Sequence, residues 1–180
     1  MEKILETVLG REGGDVQKRV LYDLMTIETR EADTLLDFLH YYWSALKVGT
    51  SQVPKSSDFK VEEILQPAAR EYTGWIDTSP DDPRYFVIHH HPTLRAPGIG
   101  EGYGNIRLLD LANKMHTNSL ILEFLRCKRW KTPLYHEIDQ RIDGIRRHYT
   151  RLLLPLADED GKVSRIFFGF RLISRVTVSS

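Results

Sequence analysis

LYHEIDQRIDGIRRHYTRLLLPLADEDGKVSRIFFGFRLIS, residues 134–174, is the stretch that decides the fold. After Pro133 the pattern takes a period of two: Leu134, His136 and Ile138 alternate with Tyr135, Glu137 and Asp139. A second extended run covers Ile145 to Leu156, and Asp158-Glu159-Asp160-Gly161 supplies a hairpin turn. A third run, Lys162 to Ser174, sends Ile166, Phe168, Phe170 and Leu172 to one side and Arg165 and Arg171 to the other. Successive side chains of a strand point to opposite faces, so this alternation predicts three antiparallel strands with one face on a core. Upstream, Tyr72–Asp77 and Tyr85–His91 flank the turn-rich segment Asp77–Pro83 and predict a further antiparallel pair.

Between the two groups, Pro92–Gly104 carries two prolines and four glycines and reads as irregular. Asn105 caps an expected helix with Leu108, Leu111, Ala112 and Met115 on its apolar face. Asn118 caps a second, with Ile121, Leu122 and Leu125, ending at Lys128-Arg129. The first 49 residues read as helical. Val16, Val20, Leu24 and Ile27 recur at spacings of four, four and three, and Gly13-Gly14 separates them from a short apolar start at Ile4, Leu5, Val8 and Leu9. A helix from Asp33 or Thr34 carries Leu35, Leu39, Tyr42 and Leu46, broadened by Leu36 and Trp43, with Thr34 and Asp37 as a capping box. Residues 50–60 are polar and read as a loop, and Val61–Gln66 as a short helical turn closed by Pro67. The expected fold is α+β, a five-stranded antiparallel sheet with flanking helices plus an N-terminal helical extension.

With 180 residues, 41% hydrophobic and 28% charged, the chain has the balance of an ordinary globular domain. Its 25 basic and 25 acidic residues cancel, so the excess positive charge of a nucleic-acid binder is missing. The single cysteine, Cys127, excludes an intramolecular disulfide. No apolar run reaches the roughly 18–20 residues of a membrane span, and the N-terminus lacks the pattern of a secretory signal. A cytoplasmic protein, binding neither membrane nor nucleic acid, is expected.

Several local motifs resemble a bacterial family of PAS-like domains frequent in alphaproteobacteria. They are Tyr42-Trp43 followed by Val53-Pro54 and Asp58-Phe59, and the closing segment YTRLLLPLADEDG at 149–161. The connection Gly102–Asp110 and the strand Phe86–Thr93 are also similar to the family, with Pro92 where a glycine is more usual. The resemblance runs from about Asp33 to Ile173. It implies residues 1–32 as an extension and 33–176 as a PAS-like domain. It further implies a non-enzymatic sensory, ligand-binding or protein-interaction module, with no defined catalytic set and no defined cofactor.

The candidate chemistry is sparse. His89 and His91 share one face of a strand about 7 Å apart, a weak metal pair for which His116, His136 or His148 would be third partners. Gly98, Gly100, Gly102 and Gly104 do not match a dinucleotide fingerprint, because Tyr103 and Asn105 stand where the third glycine belongs. Cys127 between Arg126 and Lys128 reads as a core residue rather than a reactive thiol. Glu137, Asp139 and Asp143 near His136 read as solvated charge rather than an acid–base pair. Arg146-Arg147-His148 with Lys128, Arg129 and Lys131 makes a modest basic surface. Trp75, Tyr85, Phe86, Tyr103, Phe167 and Phe168 read as core. If a ligand pocket lies between sheet and helices, Phe86, Ile88, His90 and Tyr103 are its expected lining.

The preferred expectation is a sensor that binds a small molecule, dimerises through N-terminal helices and, with no effector segment after Ser180, signals through a partner chain. Alternatives are a metal-binding protein built on His89 and His91, a cone-shaped α+β enzyme using His90 with Asp77, and an adaptor without a cavity.

Overall fold

The chain folds around one antiparallel sheet, seen in a computed structural model that describes residues 2–47, 53–90 and 105–178. The strands are β1 (Ile4–Glu12), β2 (Asp15–Tyr22), β3 (Thr73–Asp77), β4 (Val87–His90), β5 (Asn105–Arg107), β6 (Leu134–Ile142), β7 (Ile145–Ala157) and β8 (Val163–Thr177). The helices are α1 (Met25–Thr29), α2 (Thr34–Ala45), α3 (Val61–Ile64), α4 (Pro67–Arg70) and α5 (Lys114–Trp130). The strand order is β1-β2-β6-β7-β8-β3-β4-β5, with every neighbouring pair antiparallel.

The expected five-stranded sheet with a helical extension is therefore corrected. The sheet has eight described strands, and its additions lie at both edges. Residues 4–22 form a hairpin, not helices: β1 and β2 join through Gly13-Gly14, and β2 pairs with β6 from Val16↔Arg141 to Tyr22↔Tyr135. The physical reason lies in the spacing. Positions i and i+4 share a face in a helix and also in a strand, so Val16 and Val20 fit both periods. The two-residue glycine turn, with Gly13 at φ +57°, is the feature peculiar to a hairpin. Of the N-terminal helices expected to carry a dimer, the one from Thr34 is present as α2, while residues 4–22 are strands that leave Ile4, Leu5 and Leu9 exposed on the sheet edge.

The two helices expected after residue 105 are also corrected. Asn105 opens the short strand β5, and a single 17-residue helix, α5, follows. Its cap is Asn113, whose side chain accepts from the His116 amide at 2.8 Å, while Asn118 lies inside it. At the start of α2 no side-chain capping bond forms, because the Asp33 carboxylate is engaged elsewhere.

Each face of the sheet has its own core. Leu36, Leu39 and Trp43 of α2 pack on Tyr135, Leu152, Leu154 and Phe167. On the opposite face Leu120, Phe124 and Cys127 of α5 pack on Ile76, Ile88, Ile138, Leu153, Ile166 and Phe168. Asp33, fully buried, ties α2 to three strands: it accepts from Tyr135, from Arg171 and from Thr150 Oγ1, the last at 3.1 Å. Tight turns at Asp143-Gly144 (φ +51° and +71°) and at Gly161 (φ +77°) join the long strands.

Two glycines mark close approaches. A Cβ on Gly74 would stand 2.6 Å from Phe168 Cζ and 2.7 Å from the His89 carbonyl oxygen. On Gly169 the nearest atom is Leu39 Cδ1 at 2.5 Å, the free end of a flexible side chain. Gly74→Ala is expected to lower stability by about 1–3 kcal/mol and Gly169→Ala by less, because backbone yields less readily than a leucine tip. Paired melting curves check the order; equal losses would contradict it.

Candidate functional site

The polar residues of α5 are not scattered. His116, Ser119, Glu123 and Arg126 fall at spacings of three, four and three, one stripe along the helix beside its apolar stripe Leu120, Phe124 and Cys127. The apolar stripe lies on the central strands, and the polar stripe on the part of the sheet formed by β1, β2, β6 and β7. The registers Glu6↔Leu21, Leu21↔His136 and His136↔Arg151 place one row of side chains on this face. Val8↔Arg19, Arg19↔Ile138 and Ile138↔Tyr149 place the next.

The result is a buried polar cluster. Gln17, Arg19, His116, Ser119, Glu123, His136, Gln140 and Arg151 are all buried. Arg19 Nη1 donates to Glu123 Oε1 at 2.6 Å and to the Ser119 carbonyl at 3.2 Å, and Arg151 Nη2 donates to the second oxygen of Glu123. Gln17 Nε2 donates to Gln140 Oε1 at 2.6 Å and approaches His116 Nδ1 at 3.5 Å, while Ser119 Oγ donates to Gln17 Oε1 at 2.7 Å. His136 Nε2 stands 3.7 Å from Glu123 Oε1. Among the described residues, His136 Nδ1, Gln140 Nε2 and Arg151 Nε are buried without a hydrogen-bond partner. Burial, reinforced by Arg151, Arg19 and Arg147, lowers the His116 pKa to about 3. Burial, with Arg19 and Arg126, does the same for His136, so both rings are neutral at pH 7. Burial lowers Arg151 to about 9, which leaves it charged.

A half-open cleft of about 270 Å³ lies over this cluster, between the N-terminal hairpin and α5. Its lining is Glu6, Val8, Arg19, Leu21, Leu122, Glu123, Arg126 and His136. At its mouth the half-exposed Arg126 and Glu6 form an ion pair.

The residues expected from the sequence to line a pocket are placed differently. Phe86 and Ile88 are 0% and 2% exposed and pack as core beneath α5. Position 90 lies opposite Gly74 at the end of β4, and Tyr103 lies outside the described residues. Asp77, the suggested partner of His90, pairs with position 87, three residues along β3, and its carboxylate accepts from the Ser79 amide at 2.9 Å. The suggested pair is not brought together.

His89 stacks on Trp75, ring centroids 3.8 Å apart and planes at 12°, and Arg165 caps the same indole at 3.9 Å. His91 and the glycines 98–104 lie outside the described residues. Four strand spacings, roughly 19 Å, separate β4 from β6, so His136 cannot complete a site at His89. Among the described residues no group of three or more His, Cys, Asp or Glu is arranged to hold a metal ion.

Glu137 and Asp139 face away from His136. Burial pushes Glu137 up, but hydrogen bonds from His148 (2.7 Å) and Arg30 (2.8 Å) outweigh it and its pKa falls; Asp139 is held down by Arg146. Asp143 sits in the β6–β7 turn. Cys127 is fully buried, which pushes its thiol pKa up, and its Sγ lies 3.6 Å from the Thr132 carbonyl. Of the basic groups, Lys128 donates to the Thr78 carbonyl at 2.5 Å, Lys131 to the Gly161 carbonyl at 3.3 Å, and Arg146 to Asp139. Among the described residues no helix is long and apolar enough to cross a membrane.

Comparison with family models, curated proteins and solved structures finds no match.

Proposed function

We propose that the chain is a non-enzymatic, ligand-binding sensory module of the cytoplasm that acts on a partner chain, and that its ligand site is the cleft between the N-terminal hairpin and α5. The observation that carries this reading is a cleft lined by buried Arg19 and Glu123, with Arg151 bonded to Glu123 from outside the lining and a buried imidazole nitrogen of His136 unpartnered among the described residues. Such a cluster is costly in a core, where apolar residues of the same volume are often as stable or more so. A binding role accounts for it, since convergent polar groups in a concave site orient a ligand.

The resemblance to bacterial PAS-like domains supports a sensory reading, and segments that carry it meet in space. Trp43 Nε1 donates to the Pro155 carbonyl at 2.8 Å, and Ala157 exchanges backbone hydrogen bonds with Pro54 and Ser56. One cysteine, kept as a buried thiol, fits the cytoplasm. A ligand bridging β1 and α5 would act by favouring one arrangement of the hairpin against the helix, to the extent that it binds that arrangement better.

Leu122 gives a direct test, because it lines the cleft yet is 64% exposed. Leu122→Trp is expected to fill the cleft while leaving the melting temperature within about 1 °C, a surface change of under about 0.5 kcal/mol. In a thermal-shift screen against small metabolites, wild type should gain several degrees with at least one compound and Leu122→Trp should not. Equal responses in both proteins would sink the assignment.

A further inference from the structure

We propose that the cleft is selective for a small monocarboxylate bearing a short apolar chain. This rests on the cleft being the ligand site. The charge inventory carries it. Arg19 and Arg126 line the cleft against the two carboxylates Glu6 and Glu123, and Arg151, outside the lining, adds a third guanidinium through its bond to Glu123. Three guanidinium groups and two carboxylates leave one positive charge in excess. The imidazoles of His116 and His136 add none at neutral pH.

A singly charged anion balances that excess; a cation worsens it, and a dianion reverses it. Arginine forks match a carboxylate in geometry. Val8, Leu21 and Leu122 supply the apolar wall for a chain, and about 270 Å³ leaves room for only a short one. His136 lines the cleft, with Nε2 3.7 Å from Glu123 Oε1 and Nδ1 buried without a partner among the described residues.

Hexanoate, hexanamide and hexylammonium have the same chain with charges of minus one, zero and plus one, and titration calorimetry compares them on the intact chain. Hexanoate is expected to bind at least tenfold more tightly than hexanamide, with hexylammonium weaker still, because hydrogen bonds to a charged group account for tenfold or more. Glu6→Gln removes a half-exposed carboxylate at the mouth and is expected to tighten hexanoate several-fold. Arg126→Gln is expected to weaken it about tenfold, and Leu122→Trp to abolish it. Circular dichroism confirms that each variant is folded; these three positions are outside the buried cluster's core. If hexanamide or hexylammonium binds as well as hexanoate and loses binding in Leu122→Trp, the cleft remains the site and the monocarboxylate assignment is overturned. If Glu6→Gln weakens hexanoate, the assignment is overturned too. If none of the three probes binds in a Leu122-dependent way, the monocarboxylate assignment is overturned, and the thermal-shift comparison of wild type with Leu122→Trp decides separately whether the cleft is the site.

Discussion

Glu123→Ala is expected to destabilise the fold by about 3–5 kcal/mol, the range for breaking a buried ion pair from one side. Glu123 is the sole carboxylate that Arg19 and Arg151 share among their described hydrogen bonds, and both guanidinium groups are buried. Removing it leaves two buried like charges under α5 without the carboxylate that both of them hydrogen-bond. The effect also separates charge from shape. Glu123→Gln keeps the volume and is expected to lose most of the same stability, whereas the triple change Arg19→Met, Glu123→Leu, Arg151→Met is expected to recover it or exceed wild type, since an apolar replacement no longer strands a charge. Urea unfolding followed by tryptophan fluorescence reads all three. A loss below about 1 kcal/mol for Glu123→Ala, the size of an exposed pair, would mean that the cluster is open to water in solution.

Acid is expected to unfold the protein well before its carboxylates titrate. His116 and His136 are neutral in the native state down to about pH 3, while in the unfolded chain they take up protons near pH 6.5. The unfolded state therefore binds more protons throughout that window, and stability falls as pH drops. Stability from these two groups is fully present above pH 6.5 and is lost between about 6.5 and 3. Each ring contributes up to about 1.4 kcal/mol per pH unit, so two units of acid remove about 5 kcal/mol, the scale of a whole small-domain stability. Glu137 and Asp139, whose pKa values are lowered, act with the same sign but below the ordinary carboxylate range. The groups around His136 are Glu6, Arg19, Glu123, Arg126 and Arg151, so its shift also reports whether the ring stays buried beneath the cleft. Denaturant midpoints measured from pH 7.5 to 4.5 are expected to fall steeply in wild type. They should fall about half as steeply in His116→Gln or His136→Gln. A flat profile down to pH 4.5 would show that the rings are hydrated.

Much of the sheet was legible in the residues. The alternation from Leu134 to Leu172 marks β6, β7 and β8, and the segments flanking Asp77–Pro83 mark β3 and β4, because a strand with one or both faces buried carries its period in the chain itself. The stripe Leu35, Leu39, Tyr42 and Leu46, broadened by Leu36 and Trp43, marks the packed side of α2, but its centre is displaced: the residues the sheet buries are Leu36, Leu39 and Trp43. The N-terminal hairpin is hidden in the pattern because a four-residue spacing satisfies two periods, and Gly13-Gly14 is the local cue that separates them. The site was legible only in half. His116, Ser119, Glu123 and Arg126 stand at helical spacing, a polar stripe beside an apolar one, and that much is written along the chain.

By itself the sequence determined that five of the strands and the helix α2 exist, that no disulfide can form within the chain, and that net charge offers no general pull on nucleic acid. Only the tertiary structure decided that residues 4–22 extend the sheet beyond β6, that Phe86 and Ile88 are core rather than lining, and that Arg19, Glu123, His136 and Arg151 form one cluster. The physical reason is range. Periodicity and turn chemistry act between residues a few positions apart, whereas Arg19 meets Glu123 across more than a hundred positions of chain, through a register that only sheet pairing sets.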